Sequence, residues 1–316
     1  MLAIMITCLI LLQLSAVIVA ACTVYKYHKK QISRKTFFVF IIYAAIMSSL
    51  GISLAIWYRP FDQYSPLHLI NVLFFTYSGF ILLYGAKEHA KRIVWGFMVC
   101  FVILNLARIP YLWIYEGYTF FSILPLHLCG ISGVFLIARP FYLKGKSKFT
   151  KEFSKIIDND ILCFAFLGAL LNFFFPPTHA FGELGFFHLR TIVSNVLHWV
   201  FITATIYLLL SGEIKPSKKL AVMNLLWLVP AYVMFIFVNS YMGTNFFFTN
   251  GEGNPIGFLY NMFPMWEWQL GVTIVEVNPI YWVAMIFGTT LSLLAVSAMF
   301  EQIHKKFGEK TETNLT

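Results

Sequence analysis

Apolar residues run in blocks along this chain. Nine stretches, near residues 2–24, 37–57, 66–85, 93–113, 121–142, 160–176, 188–210, 219–239 and 279–302, hold few charges. Each approaches the ~20 residues that a helix needs to cross a bilayer. A spanning barrel would show weaker, alternating segments of about ten residues. The pattern predicts an all-α fold, a polytopic transmembrane helical bundle of about nine spans. The stretch NPIGFLYNMFPMWEWQLGVTIVEVN (254–278) carries Pro, Trp and Glu. It reads as an outer interfacial or re-entrant segment rather than a full span.

Charge orients the spans. KYHKKQISRK (26–35), KEHAKR (87–92), KGKSKFTKEFSK (144–155) and KPSKK (215–219) follow odd-numbered spans, and Lys305, Lys306 and Lys310 follow the last. The alternate loops hold Arg59, Asp62, Glu116, Glu183, Glu252, Glu267 and Glu276, and no lysine. By the positive-inside rule the N-terminus lies outside and the C-terminus inside. No Lys or Arg precedes residue 26, so the first span lacks the charged start of a signal peptide and reads as a retained helix.

Composition agrees. Of 316 residues, 59% are hydrophobic and 12% charged, against roughly 25% charged in a soluble domain. The net charge of +9 sits mostly in the basic loops, where anionic headgroups attract it; it implies no nucleic-acid partner. Cys8, Cys22, Cys100, Cys129 and Cys163 all fall inside predicted spans, which argues against a disulfide framework. No zinc spacing, phosphate-binding loop or dinucleotide fingerprint is present, so no cofactor or metal is expected. The simplest organisation is one membrane domain over 1–316. Residues 1–90 form extra N-terminal helices, 90–250 a core, 250–278 the outer segment and 279–304 the last span.

The polar residues inside spans carry the candidate chemistry. Across 188–210, Arg190, Ser194, Thr205, His198, Thr191, Asn195 and His188 fall within about 160° of arc on an ideal helix, with Thr203 on the other side. That face should look into the bundle. By depth, Asn105 and Arg108 lie near the outer end of their span, and Arg108, His127, Cys129, His188, Arg190 and His198 can share one outer layer. His127 and Cys129 stand about 200° apart on an ideal helix, so a base for the thiol has to come from elsewhere, and His198 is the deepest candidate. Cys129 lines up instead with Ser132 and Gly133, a stripe that permits close helix approach. The plainer alternative keeps Cys129 and His127 as core residues and the Ser, Thr and Asn groups as interhelical hydrogen bonds.

LPLHLC (124–129), SNVLHWVFITATIYLLLSGEIKP (194–216) and NSYMGTNFFF (239–248) occur in this order. Together they resemble the YwaF family of bacterial integral membrane proteins over roughly residues 90–250. The family's histidine is commonly flanked SHG, and here it is LHW at His198. The family is distantly similar to a eukaryotic membrane acyltransferase that makes arachidonoyl ether phospholipids, in which a cysteine and a histidine on separate helices serve acyl transfer. It is also similar to the androgen-induced membrane hydrolases. The resemblance implies Cys129 as nucleophile and His198 as base. His127, or a backbone N–H after Pro125, would then face the oxyanion. Arg108 and Arg190 would hold a lipid phosphate. His188, Asn105, Asn195 and Asn245 complete the candidate substrate-binding residues. The expected substrates are membrane phospholipids or other acyl lipids, and the expected setting is a bacterial plasma membrane. The competing class is a transporter or lipid-binding protein, for which Pro125, Pro230 and the 240–278 segment would mark broken helices around a substrate path.

Overall fold

The computed structural model describes residues 2–56, 66–85, 90–119, 123–124, 127–142, 147–174, 189–248, 257–270 and 273–305. Its helices are α1 (Leu2–His28), α2 (Arg34–Ile56), α3 (Pro66–Gly85), α4 (Ala90–Tyr115) and α5 (Leu128–Tyr142). They continue with α6 (Lys148–Phe174), α7 (Leu189–Leu210), α8 (Lys218–Met242) and α9 (Pro279–Ile303). Every predicted span falls on one of them. Among the described residues, seven (α1, α2, α4, α6, α7, α8 and α9) are long and apolar enough to cross a membrane. The fold is an all-α polytopic bundle.

Three elements differ from expectation. α5 begins only at Leu128 and has 15 residues, which rise about 22 Å against ~30 Å of hydrocarbon. α6 begins at Lys148, well before the expected start at 160. Ser147 caps it by accepting the Thr150 N–H at 3.0 Å. Its first turns are amphipathic, with Lys148, Lys151 and Lys155 exposed and Ser154, Ile157, Asp158, Asn159 and Asp160 buried. A search for apolar runs averages such turns away, although their 3.6-residue period is a helix signal. The third is the segment 254–278. Its described part is a 3₁₀ turn (Gly257–Met262) followed by an antiparallel hairpin of β1 (Trp266–Leu270) and β2 (Thr273–Val277). On the hairpin Val275 and Val277 are buried and Trp266 and Trp268 exposed.

The chain divides into two compact units, Met1–Gly96 with Leu171–Thr203, and Phe97–Leu170 with Ala204–Thr316. In the first unit α1 packs on α2 and α2 on α3. Gln13 and Ser48 tie α1 to α2: the Gln13 amide donates to the Ser48 carbonyl at 3.0 Å, and the Ser48 hydroxyl donates back at 3.1 Å. Leu50 is packed among Leu9, Leu12, Ile70 and Phe74. α3 meets α7 closely at Gly79, where a Cβ would stand 2.7 Å from the Thr203 hydroxyl. That contact explains why Thr203, off the predicted polar face, is fully buried. The expected one-sidedness of α7 does not hold. Thr191, Asn195 and Thr205 are buried, and so are Val193, Leu197, Val200, Phe201 and Ile202. α7 is buried on both faces.

Gly79→Ala is therefore expected to destabilise the protein by about 1–3 kcal/mol, the usual cost of overpacking. Thr203→Ala in the same chain should recover most of that loss. Unfolding midpoints in detergent for the two single variants and the double variant check the pairing; a harmless Gly79→Ala would show that the two helices are not held this closely.

In the second unit the core gathers α8, β2 and α9 around Phe164, Leu228, Tyr232, Phe235, Ile236, Phe246, Phe247, Val275, Val277 and Leu293. α6 carries a π turn at Ile161–Ala165, entirely buried. α8 ends at Gly243, whose φ of 62° is the left-handed cap that glycine takes at no steric cost.

Candidate active site

Because α5 opens at Leu128, Cys129 lies in its first turn and His127 just before it. The His127 carbonyl accepts the Ile131 N–H at 2.9 Å. First-turn N–H groups lack intrahelical partners and, with the helix dipole, favour an anion. Cys129 is half-buried, and Gly168 of α6 makes room for it, since a Cβ there would stand 3.1 Å from the Cys129 Cβ. Ser132 and Gly133 are buried below it, so the small-residue stripe packs as its spacing suggests. The Arg108 guanidinium on α4 is close enough for its charge to act on both His127 and Cys129.

A second stretch of sequence reaches the same place. The His127 ring stands edge-on to Phe246, with centroids 5.6 Å apart. Asn239 holds Phe246: its amide donates to the Phe246 carbonyl at 2.7 Å, and its oxygen accepts from the Phe246 N–H at 2.9 Å and the Thr244 hydroxyl at 2.7 Å. Beside it, Phe247 adopts φ 59°, a costly conformation for an aromatic residue. It is buried and stacked on Phe235 at 4.6 Å. The stretches LPLHLC and NSYMGTNFFF thus meet in the second unit at His127 and Phe246.

The other candidates are placed as follows. Asn105 donates to the Phe101 carbonyl one turn back at 2.9 Å, so its donor serves its own helix. Asn245 is half-buried in the 243–246 turn; the amide that organises this turn is Asn239, which sequence reasoning passed over. Asn195 and His198 belong to the first unit. Asn195 accepts from Asn71 at 3.4 Å. His198 is packed edge-on against Phe173 and Phe201, and its Nδ1 contacts the Ser194 carbonyl at 2.7 Å. A carbonyl only accepts, so Nδ1 carries a proton. His188, the Arg190 side chain, Pro125 and Leu126 lie outside the described residues.

Sequence reasoning missed one charged cluster altogether. Arg139, in the last turn of α5, grips Asp158 of α6 through Nε at 3.0 Å and Nη2 at 3.2 Å, and Glu213 through Nη1 at 2.9 Å. Tyr142 donates to Asp158 at 2.6 Å. The available signal was an arginine ending an apolar run and an aspartate on the buried stripe of 148–160.

The TMEM164 family model matches residues 63–289, well over half of the chain. The chain belongs to the TMEM164 family. With its apolar helices it is a multi-pass membrane protein. The match takes in α3 to α8, the hairpin and the start of α9, and includes every candidate residue named above. It carries neither the YwaF name nor an activity. Comparison with curated proteins and with solved structures gives no match.

Proposed function

We propose that this TMEM164 family member is a membrane-embedded acyltransferase or lipid hydrolase that carries an acyl group on Cys129. The observation that supports the reading is the meeting of Cys129, His127 and Arg108 at the head of a helix that starts within the apolar region. A buried thiol forms the reactive thiolate only with a cation or donor groups nearby, and a guanidinium and a helix N-terminus are groups of that kind. In the proposed reaction the thiolate adds to the carbonyl of a lipid ester. The ester's alcohol leaves with a proton, and a thioester remains. An acceptor hydroxyl or water then adds to the thioester and restores the thiol. His127 faces the oxyanion, and Arg108 holds the lipid phosphate. The resemblance gives His198 the role of base. Arg190, His188 and Asn195 are proposed to bind substrate with it. The basic segments face the cytoplasm and the site opens to the outer leaflet of a bacterial plasma membrane.

The test is mass spectrometry of Cys129 in membranes incubated with native phospholipids. An acyl adduct on Cys129 that accumulates when His198 is replaced by alanine supports the reading. Absence of any adduct, together with unchanged cellular function of Cys129→Ala, overturns it in favour of a transporter or lipid-binding protein. That second reading draws on the first unit, where the buried Thr191 and Thr203 hydroxyls and the Asn195 amide nitrogen have no hydrogen-bond partner among the described residues. A polar seam of this kind is what a substrate path requires.

A further inference from the structure

Asp160 ends the first half of α6, immediately before the π turn Ile161–Ala165. It is completely buried, and neither carboxylate oxygen has a hydrogen-bond partner among the described residues. Its neighbours are already committed. Asp158 takes two bonds from Arg139 and one from Tyr142. Arg139 gives two further hydrogen bonds, to the Glu213 carboxylate and carbonyl. Asn159 accepts the Ser217 N–H at 3.1 Å, and Cys163 pairs with the Ser297 hydroxyl at 3.1 Å. The cluster therefore holds one guanidinium against three carboxylates, and Asp160 is the one it leaves out. π turns of this kind recur at functional sites.

Among the described residues, the elements packed on this turn bring no second buried lysine or arginine. α5 presents Arg139 and Tyr142, α6 itself Asp158 and Cys163, α9 Glu301 and His304, and the 211–217 loop Glu213. Lys215, Lys218 and Lys219 are exposed, and Glu301 accepts the Lys218 N–H at 2.8 Å. An ionised carboxylate alone in an apolar interior is unstable and becomes neutral by binding a proton. We propose that Asp160 is a proton-binding site: the carboxyl takes up one proton as the bundle forms and holds it at neutral pH.

The sign of the linkage follows. If the folded state binds one proton more than the unfolded state, stability falls as pH rises. The folded-to-unfolded ratio drops about tenfold per pH unit from the ordinary aspartate range near pH 4 upward, until Asp160 itself ionises. The chain contains only three aspartates, Asp62, Asp158 and Asp160, so ¹³C-carboxyl aspartate labels very few groups. Infrared spectra of the purified, labelled full-length protein at neutral pH should show one protonated carboxyl. That band should survive Asp62→Asn and vanish in Asp160→Asn. In reversible detergent unfolding, the stability of wild type relative to Asp160→Asn should decline with the stated tenfold slope; the other titrating groups are common to both chains. If Asp160→Asn does not accumulate, the Asp62→Asn spectrum decides, because Asp158 is held by Arg139. All labelled carboxyls ionised at neutral pH, or a protonated band lost with Asp62→Asn, overturns the proposal. Wild-type stability that depends on sodium against choline chloride rather than on pH also overturns it, and makes the site one for a metal cation.

Discussion

Cys129→Ser is expected to take acyl transfer below detection while the protein still elutes as a monodisperse species in detergent. The two side chains are nearly equal in size, so the packing against Gly168 survives. The hydroxyl stays protonated where a thiol ionises, and it is a far weaker nucleophile. His198→Ala should lower turnover by a factor on the order of 10²–10⁴, the usual contribution of a positioned general base. Arg108→Lys should raise KM more than it lowers kcat, because an ammonium keeps the charge but loses the two-pronged grip on phosphate. These effects are read with a labelled phospholipid donor, following both transferred and free acyl chain. If Cys129→Ser retains more than a small fraction of wild-type turnover, the thiol is not the nucleophile, and the cluster around it is packing.

The hydropathy pattern located the helices, and seven of them are long and apolar enough to cross a membrane, because about 20 apolar residues have few uses other than crossing a bilayer. It failed where apolar content and helix extent part company. Lys148–Asp160 belongs to α6 although about half of its residues are charged, and α5 runs from Leu128 to Tyr142, shorter than its apolar stretch suggests. The stripe of Cys129, Ser132 and Gly133 was legible from spacing alone, since helix geometry fixes which residues share a face. The contact partner, Gly168, was not, because nothing in the sequence says which helices meet. Asn239 illustrates a further limit. It sits in a quoted motif, yet its role as the hub of the 243–246 turn depends on Gly243 bending the chain back. Thr203 departed from the polar face of α7 for a reason that lies on another helix, at Gly79. The one-sided reading of α7 assumed a helix with lipid on its far side, and the burial of Val200 and Ile202 shows that it has neighbours there instead.

Arg139→Ala should be the most destabilising single change in the second unit, at about 3–5 kcal/mol, the cost of stripping one partner from a buried ion pair. The Arg139 and Asp158 side chains are only 10% and 12% exposed. Without the guanidinium, Asp158 keeps a single hydrogen bond from Tyr142 in surroundings that contain no other partner cation among the described residues, close to the equally buried Asp160. Glu213→Gln should cost far less, roughly 0–1 kcal/mol, because that side chain is 32% exposed and water replaces part of the interaction. A distinguishing outcome comes from the double variant Arg139→Met, Asp158→Leu. Apolar replacement of both members of a buried pair is often neutral or stabilising, so the double variant should be more stable than Arg139→Ala despite carrying an additional substitution. Unfolding midpoints in mixed detergent micelles measure all three. If Arg139→Ala lies within about 1 kcal/mol of wild type, in the range of an exposed pair, then water reaches the cluster. The uncompensated charge on which the Asp160 proposal rests would then also be screened, so the Arg139 result and the infrared spectrum of Asp160 must agree.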